Sequence, residues 1–174
     1  MIFSKTELAD LWIVEPEKHS DDRGYFARIF CEQEFARYGL PTNFVQANMS
    51  HNYQRGTLRG LHFQHEPYAE DKLVRCFSGS IFDVAVDLRP DFQTFRQWFG
   101  VELSGQNGRA LLVPKGFAHG FITLQDNTLV SYMVSQCYQS AYESGIRWDD
   151  SAIGVQWPIE PILISDKDRS HPFL

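Results

Sequence analysis

Along most of this chain, short runs of β-branched and aromatic residues alternate with polar ones at a period of two. Gly, Asn, Asp or Pro separates one run from the next. The pattern predicts strands over Asn43–Ser50, Thr57–Gln64, Leu73–Phe77, Ile81–Leu88, Gln97–Leu103, Arg109–Val113, Phe117–Leu124 and Thr128–Tyr138. Within Leu129–Val134 the alternation sets Tyr132 on the same face as Val130 and Val134. One window breaks the period: in Glu32–Tyr38, Phe35 and Tyr38 stand three apart and Gly39 follows as a terminator, which predicts a short helix. Many short strands at this spacing predict an all-β sandwich or barrel, and the 14 phenylalanines, spread over nearly every strand, would supply a core shared by two facing sheets. No repeat, low-complexity tract or linker divides the sequence, so a single domain over 1–174 is expected.

Composition narrows the function. The 174 residues suffice for one real hydrophobic core, and 43% hydrophobic against 22% charged residues is the balance of a folded chain. The formal net charge is −6 and no run of Lys and Arg stands out. Nucleic acid and anionic membranes need a concentrated basic surface, so neither is expected as a partner; one small phosphate ligand needs only a few local cations. No apolar stretch approaches a membrane span, and the start MIFSKTELADLW lacks the basic-then-apolar pattern of a secretory signal. Cys31, Cys76 and Cys137 are odd in number, widely spaced and without a CxxC, which reads as three reduced thiols in a cytoplasmic protein. Neither a Gly-x-Gly-x-x-Gly after a strand nor a P-loop is present, so redox-neutral acid–base chemistry is expected.

Two segments carry that chemistry. Gly108, Pro114, Gly116 and His119 have the spacing of the second cupin motif: a strand, a Pro-Gly turn, and a return strand that aims a histidine into a barrel. Upstream, Gly56 and His62 match the start of the first cupin motif. A metal-binding cupin would place a second His two residues later and then a Glu. Here Gln64 holds the first of those positions and Lys72 stands near the second. An ammonium repels a cation held by imidazoles and carboxylates, so no metal is expected. His62, His119, Lys72 and Arg59 would instead gather donors and cations around one base, which suits an anionic substrate and a developing enolate. Each alone reads equally as a satisfied core His or a solvated Lys, as Tyr132 alone reads as a core tyrosine. Glu70 and Asp71 read as solvated loop charges. Metal-dependent cupin chemistry stands as an alternative.

The residues together are similar to those of the dTDP-4-dehydrorhamnose 3,5-epimerases over nearly the whole chain. The resemblance is carried by Asp22-Arg-Gly-Tyr-Phe26, Phe44-Val-Gln-Ala-Asn48, Gly56-Thr-Leu-Arg-Gly-Leu-His-Phe-Gln64, Lys72-Leu-Val-Arg75, Asp83-Val-Ala-Val-Asp-Leu-Arg89, Pro114-Lys-Gly-Phe-Ala-His-Gly-Phe121 and Ser165-Asp-Lys-Asp168. It implies a cupin double-stranded β-helix with one or two short helices, a homodimer, no cofactor, and a nucleotide-linked 4-keto-6-deoxyhexose substrate inverted at C3 and C5. Inversion at one centre alone, on a dTDP- or CDP-linked sugar, and non-catalytic binding of a sugar nucleotide stand as the alternatives. His62 is then implied as the base that removes the proton next to the C4 ketone, with Asp168 orienting it. Lys72 would stabilise the enolate oxygen, and Tyr132 would reprotonate carbon from the other face. Arg23, Gln46, Asn48, Arg59, His119, Glu143 and Lys167 fall at nucleotide-sugar-binding positions, and Tyr138 falls where an aromatic stacks on the base. Residues around Arg23 and Phe26 are implied to reach a partner subunit's site.

Two points stay open in the sequence. Many members of that family carry Glu where this chain has Arg28, and a guanidinium donates where a carboxylate accepts. Arg28 is therefore a candidate binding residue that puts the base identity in question. Asp83 or Asp87 could orient His62 in place of Asp168.

Overall fold

A computed structural model describes residues 1–174. In chain order the elements are β1 (Ile2–Lys5), β2 (Trp12–Glu15), β3 (Lys18–Asp21), β4 (Gly24–Ala27), α1 (Glu32–Arg37), β5 (Gln46–Asn52), β6 (Thr57–Gln64), β7 (Lys72–Ser78), β8 (Ser80–Asp87), β9 (Trp98–Ser104), β10 (Ala110–Val113), β11 (Phe117–Thr123), β12 (Thr128–Val134), β13 (Glu143–Gly145), β14 (Leu163–Ile164) and α2 (Asp166–Arg169). One sheet runs β1-β2-β10-β7-β12-β5. The other runs β13-β6-β11-β8-β9, with β14 also on β6, and β3-β4 form a separate hairpin. This is the all-β architecture that the strand pattern predicts, in the cupin-like form that the resemblance implies.

The eight predicted strands all form, with ends displaced by a few residues. The largest displacement is at the last, which leaves its ladder after Val134 rather than running to Tyr138. There the Ser135 N–H bonds the Asp71 carbonyl and the Ser135 hydroxyl bonds the Asp71 carboxylate, so a loop contact replaces the strand. The predicted helix forms as α1, and Gly39 adopts the left-handed φ of +68° that ends it.

The central core lies between the sheets. Val74, Cys76, Leu111, Val113 and Val130 from one meet Ile81, Ala85, Leu103, Phe117 and Phe121 from the other. The outer faces are covered as well. Ile146 and Ile153 cap Leu61, Val84 and Ala118, while α1 lays Phe35 against Val14, Ala110 and Leu112. Strands buried on both faces explain why β8 and β11 read as near-continuous apolar runs.

One irregularity places the site. Strict alternation would put Arg59 and His62, three apart, on opposite faces. The β11·β6 register pairs His119 with His62 and Phe121 with Arg59, and shifts between them. Gly60 sits at that shift with a φ of +127°, its Cα so close to β11 that a Cβ would lie 2.6 Å from the Gly120 Cα. Only glycine fits. The shift leaves Leu58 and Leu61 in the outer clusters and turns both Arg59 and His62 toward the same cavity.

Candidate active site

Two adjoining cavities of about 310 and 550 Å³ open between the sheets and share His62, Lys72 and Tyr132. The volumes fall in the range of small-molecule sites. Gln46, Asn48, Gln64, Glu70, Tyr138 and Glu143 line the first; Arg59, His119, Lys167 and Asp168 line the second. His62 comes from β6 in one sheet, whereas Lys72 and Tyr132 come from β7 and β12 in the other.

His62 Nε2 lies 2.7 Å from Asp168 Oδ1, and the Gly60 N–H donates to the other carboxylate oxygen at 3.3 Å. Asp168 reaches β6 because Ser165 caps α2: the Ser165 hydroxyl accepts from the Asp168 N–H at 3.1 Å, which turns a polar tail into one helical turn with its aspartate inward. Asp168 is only 4% exposed. Burial raises the pKa of its carboxyl, but the His62 hydrogen bond and charge and the Gly60 N–H outweigh burial and hold it below the ordinary value. With Nε2 engaged, His62 keeps Nδ1 as the nitrogen able to take a proton.

The remaining aspartates named as possible orienters serve other groups. Asp83 lies 2.8 Å from His119 Nε2, and Asp87 accepts from Arg89 and Thr94. His119 is buried beneath the mouth, its side chain 9% exposed.

The Glu70-Asp71 expectation is corrected by the structure. Glu70 is enclosed, its side chain 7% exposed, paired to Lys72 at 3.1 Å and hydrogen-bonded by the Gln64 amide. Asp71 accepts from the Lys115 N–H and the Ser135 hydroxyl. An ammonium turned into a pocket needs a carboxylate beside it, and turn-rich sequence around such a carboxylate looks like a solvated loop. The Lys72 ammonium also donates to the His62 carbonyl at 3.3 Å. Gln64, at a cupin ligand position, is wired into the wall: its amide donates to the Tyr68 carbonyl and its oxygen accepts the Gln139 N–H at 2.6 Å.

Tyr132 packs against the central core, and burial raises the pKa of its phenol; the Arg59 charge opposes the shift, and Glu70 and Glu143 add to it. It therefore remains a proton donor. At the rim, Glu143 accepts from the Tyr138 hydroxyl at 2.7 Å and from Lys167 at 2.5 Å. Burial opposes ionisation of Glu143, yet these two partners bring its pKa below the usual value. Gln46 bonds Asn48 and the Tyr138 N–H, and Arg59 bonds Asn52.

The structure thus gathers eleven of the fourteen predicted site residues around the paired cavities. Arg23, Phe26 and Arg28 it does not. They sit on or beside the β3-β4 hairpin, where Arg23 pairs with Asp21, Phe26 is 71% exposed and Arg28 pairs with Glu34. Sequence reasoning missed His171, whose ring stands 5.5 Å from that of His62. Its only signal was its place three residues beyond Asp168.

Comparison with known proteins places the chain by sequence and fold. The family model described as dTDP-4-dehydrorhamnose 3,5-epimerase matches residues 5–174. The chain is 49% identical over 171 residues to a dTDP-4-dehydrorhamnose 3,5-epimerase of Methanothermobacter thermautotrophicus, covering 97% of this chain and 91% of that one. It superposes with a TM-score of 0.97, at 44% identity over 99% of both chains, on the dTDP-4-dehydrorhamnose 3,5-epimerase of Bacillus anthracis with TDP and PPi bound. The Legionella pneumophila dTDP-6-deoxy-D-glucose-3,5-epimerase in complex with dTDP-4-keto-L-rhamnose gives 0.94 at 38% identity, over 99% of this chain and 92% of that one.

Proposed function

The chain belongs to the dTDP-4-dehydrorhamnose 3,5-epimerase family, and from that premise we propose that it is an isomerase converting dTDP-4-dehydro-6-deoxy-D-glucose to dTDP-4-dehydro-L-rhamnose. C3 and C5 both adjoin the C4 ketone, so each C–H is acidified by the same carbonyl. His62 Nδ1 takes the proton and the bonding pair moves into the carbonyl as an enolate. Lys72 faces the developing oxyanion. Tyr132 then delivers a proton to carbon from the opposite side, and a change of ring pucker presents the second centre to the same two groups. Each inversion leaves oxidation state unchanged and needs no redox cofactor.

The observation that supports this most is that an imidazole oriented by a carboxylate and a phenol kept protonated by burial project from opposite sheets into one shared space. Arg59 and Lys167 supply the local cations that a diphosphate requires, and Tyr138, on Glu143, offers a ring to the base. The matched span, residues 5–174, supports one domain carrying the whole activity.

The reading includes a homodimer. Phe26, Met49 and Tyr53 are 71%, 72% and 80% exposed, a large apolar offering for a monomer's surface, and β5 is an open sheet edge. A second copy seated there would let the β3-β4 hairpin bring Arg23, Phe26 and Arg28 to a neighbour's cavity. No helix is long and apolar enough to cross a membrane; the free thiols of Cys31, Cys76 and Cys137 support a cytoplasmic location.

Incubation with dTDP-4-dehydro-6-deoxy-D-glucose in deuterated water tests the reaction. Deuterium at both C3 and C5 is expected. Incorporation at one carbon alone would reduce the enzyme to a single-centre epimerase, and none at either would end the catalytic reading.

A further inference from the structure

Behind the Asp168–His62 pair stands a second imidazole. His171 Nε2 is enclosed, has no hydrogen-bond partner, and lies 3.8 Å from Asp168 Oδ1, the same oxygen that holds His62. The two rings meet edge-to-face at 73°, and His62, Asp168 and His171 bring their polar atoms within 4.8 Å of one another. A buried nitrogen without a partner is costly, and an apolar side chain would fill the same space without that cost.

The backbone is shaped to hold the ring there. Gly145 is the β13 partner of His62, and a Cβ on it would lie 2.6 Å from both Cδ2 and Cε1 of His171. The tail is fixed on both sides of the ring. Arg147 donates to the Arg169 carbonyl from its side chain and to the Pro172 carbonyl from its N–H, each at 3.0 Å, and the Leu174 N–H donates to Asp150 at 2.6 Å. A missing side chain on one strand and a clamped tail on the other side thus put one nitrogen a few tenths of an ångström beyond hydrogen-bond reach of the carboxylate that orients the base.

We propose that His171 is a positioning residue for this pair: its Nε2–H closes onto Asp168 Oδ1 during turnover and shares the carboxylate with His62, so that Asp168 cannot swing away from the base. The inference rests on His62 being that base. The charged and titratable groups facing His171 are His62 on β6, Lys167 and Asp168 on α2, and Glu143 on β13. Burial, then the charge of His62, lowers the His171 pKa, with Lys167 adding to the effect and Asp168 and Glu143 opposing it. His171 therefore offers a neutral donor rather than a second cation competing for the carboxylate.

The test uses the full chain with His171→Leu and His171→Gln, the glutamine carrying an N–H to about the same reach. His171→Leu is expected to lower kcat about 10-fold with KM within about two-fold of wild type, as a loosened reacting group should. It should also move the acid limb of the kcat–pH profile, which reports the substrate-bound enzyme in which the contact closes, upward, because a carboxylate freed of its second donor holds a proton on its imidazole partner more firmly. His171→Gln should recover most of kcat. Gly145→Ala, which pushes the ring out while keeping the histidine, should resemble His171→Leu and reads the same displacement if the leucine variant fails to fold. A leucine variant with wild-type kcat and an unmoved acid limb would overturn the role of His171, as would a glutamine variant no better than leucine. Wild-type enzyme in the same assay separates the two levels: no deuterium exchange at all would break the epimerase reading itself, whereas wild-type exchange with unmoved variants breaks only this inference.

Discussion

Two histidine–aspartate pairs lie side by side in one sheet, and their difference shows what makes such a pair reactive. His62 and His119 are cross-strand partners on β6 and β11, and each has its Nε2 within 2.8 Å of an aspartate oxygen. Chemically they are the same dyad. His62, however, is 30% exposed by side chain and lines both cavities, whereas His119 is 9% exposed, lines only the second and is backed by a fully buried Asp83. Their carboxylates also arrive differently. Asp83 comes from β8, the strand hydrogen-bonded to His119's own, and Asp168 from the far end of the chain through a single helical turn. The first pair is set into the wall; the second is assembled at a surface that substrate can reach. Exposure of the imidazole, rather than the dyad itself, separates a base from a buried anchor.

His62→Asn should break this comparison most forcefully. Removing a general base typically costs on the order of 10³ in rate, roughly 4 kcal/mol of barrier. We expect that loss in kcat, with a fall in Tm smaller than in the buried pair, because His62 is 30% exposed and the asparagine amide can still donate to Asp168. Retention of more than about a tenth of wild-type kcat would move the base elsewhere in the pocket.

The partner substitution, His119→Ala, should do the reverse. One oxygen of Asp83 is already without a partner, and losing His119 would strip the other in a site with no exposure to water. Stranding a buried carboxylate costs about 3 kcal/mol, which for a chain of this size lowers Tm by about 6–12 °C. The fall in kcat should be at least about 10-fold smaller than for His62→Asn. A variant as stable as wild type but as inactive as His62→Asn would show that the buried pair belongs to the chemistry and not the wall.

How far the sequence foretold these pairs depends on distance along the chain. The strands of the barrel were legible because alternation and turn residues act locally. β1 to β4 were not read, since Ile2–Lys5, Trp12–Glu15 and the polar hairpin Lys18–Ala27 take their pairing from β10 or from each other rather than from a pattern of their own. The cupin spacing was enough to bring His62, Gln64, Lys72 and His119, on strands β6, β7 and β11, to the cavities. Which aspartate meets which histidine could not be read from spacing, because 106 residues separate His62 from Asp168 and 36 separate His119 from Asp83; the family resemblance supplied the first. Glu70 was misread for a related reason: its partner Lys72 is two residues away, but the Gln64 amide that also bonds it comes from β6 and is itself tied to the Cys137 carbonyl beyond β12. The outward turn of Leu61 beside an inward Arg59 and His62 depends on Gly60 meeting Gly120, a contact between strands that alternation within one strand does not contain.

The smallest expected effect concerns how the reactive pair is held. Asp168 titrates below the ordinary carboxylate value of 3.8 even though burial pushes the other way, since His62 and the Gly60 N–H favour its ionised form. A carboxylate whose folded pKa lies below its unfolded one adds stability that is complete above the unfolded value and is lost as pH falls through the folded one. The contribution should therefore be intact at neutral pH and decline only below about pH 4. Asp168→Asn cannot ionise and has no such contribution to lose. Thermal unfolding of the two proteins from pH 7 to pH 3 should then show a gap in Tm that is constant down to about pH 4 and narrows below it. A gap that stays constant to pH 3 would mean that Asp168 is held by shape and hydrogen bonding alone. The exposed pair would then differ from the buried one only in its access to solvent.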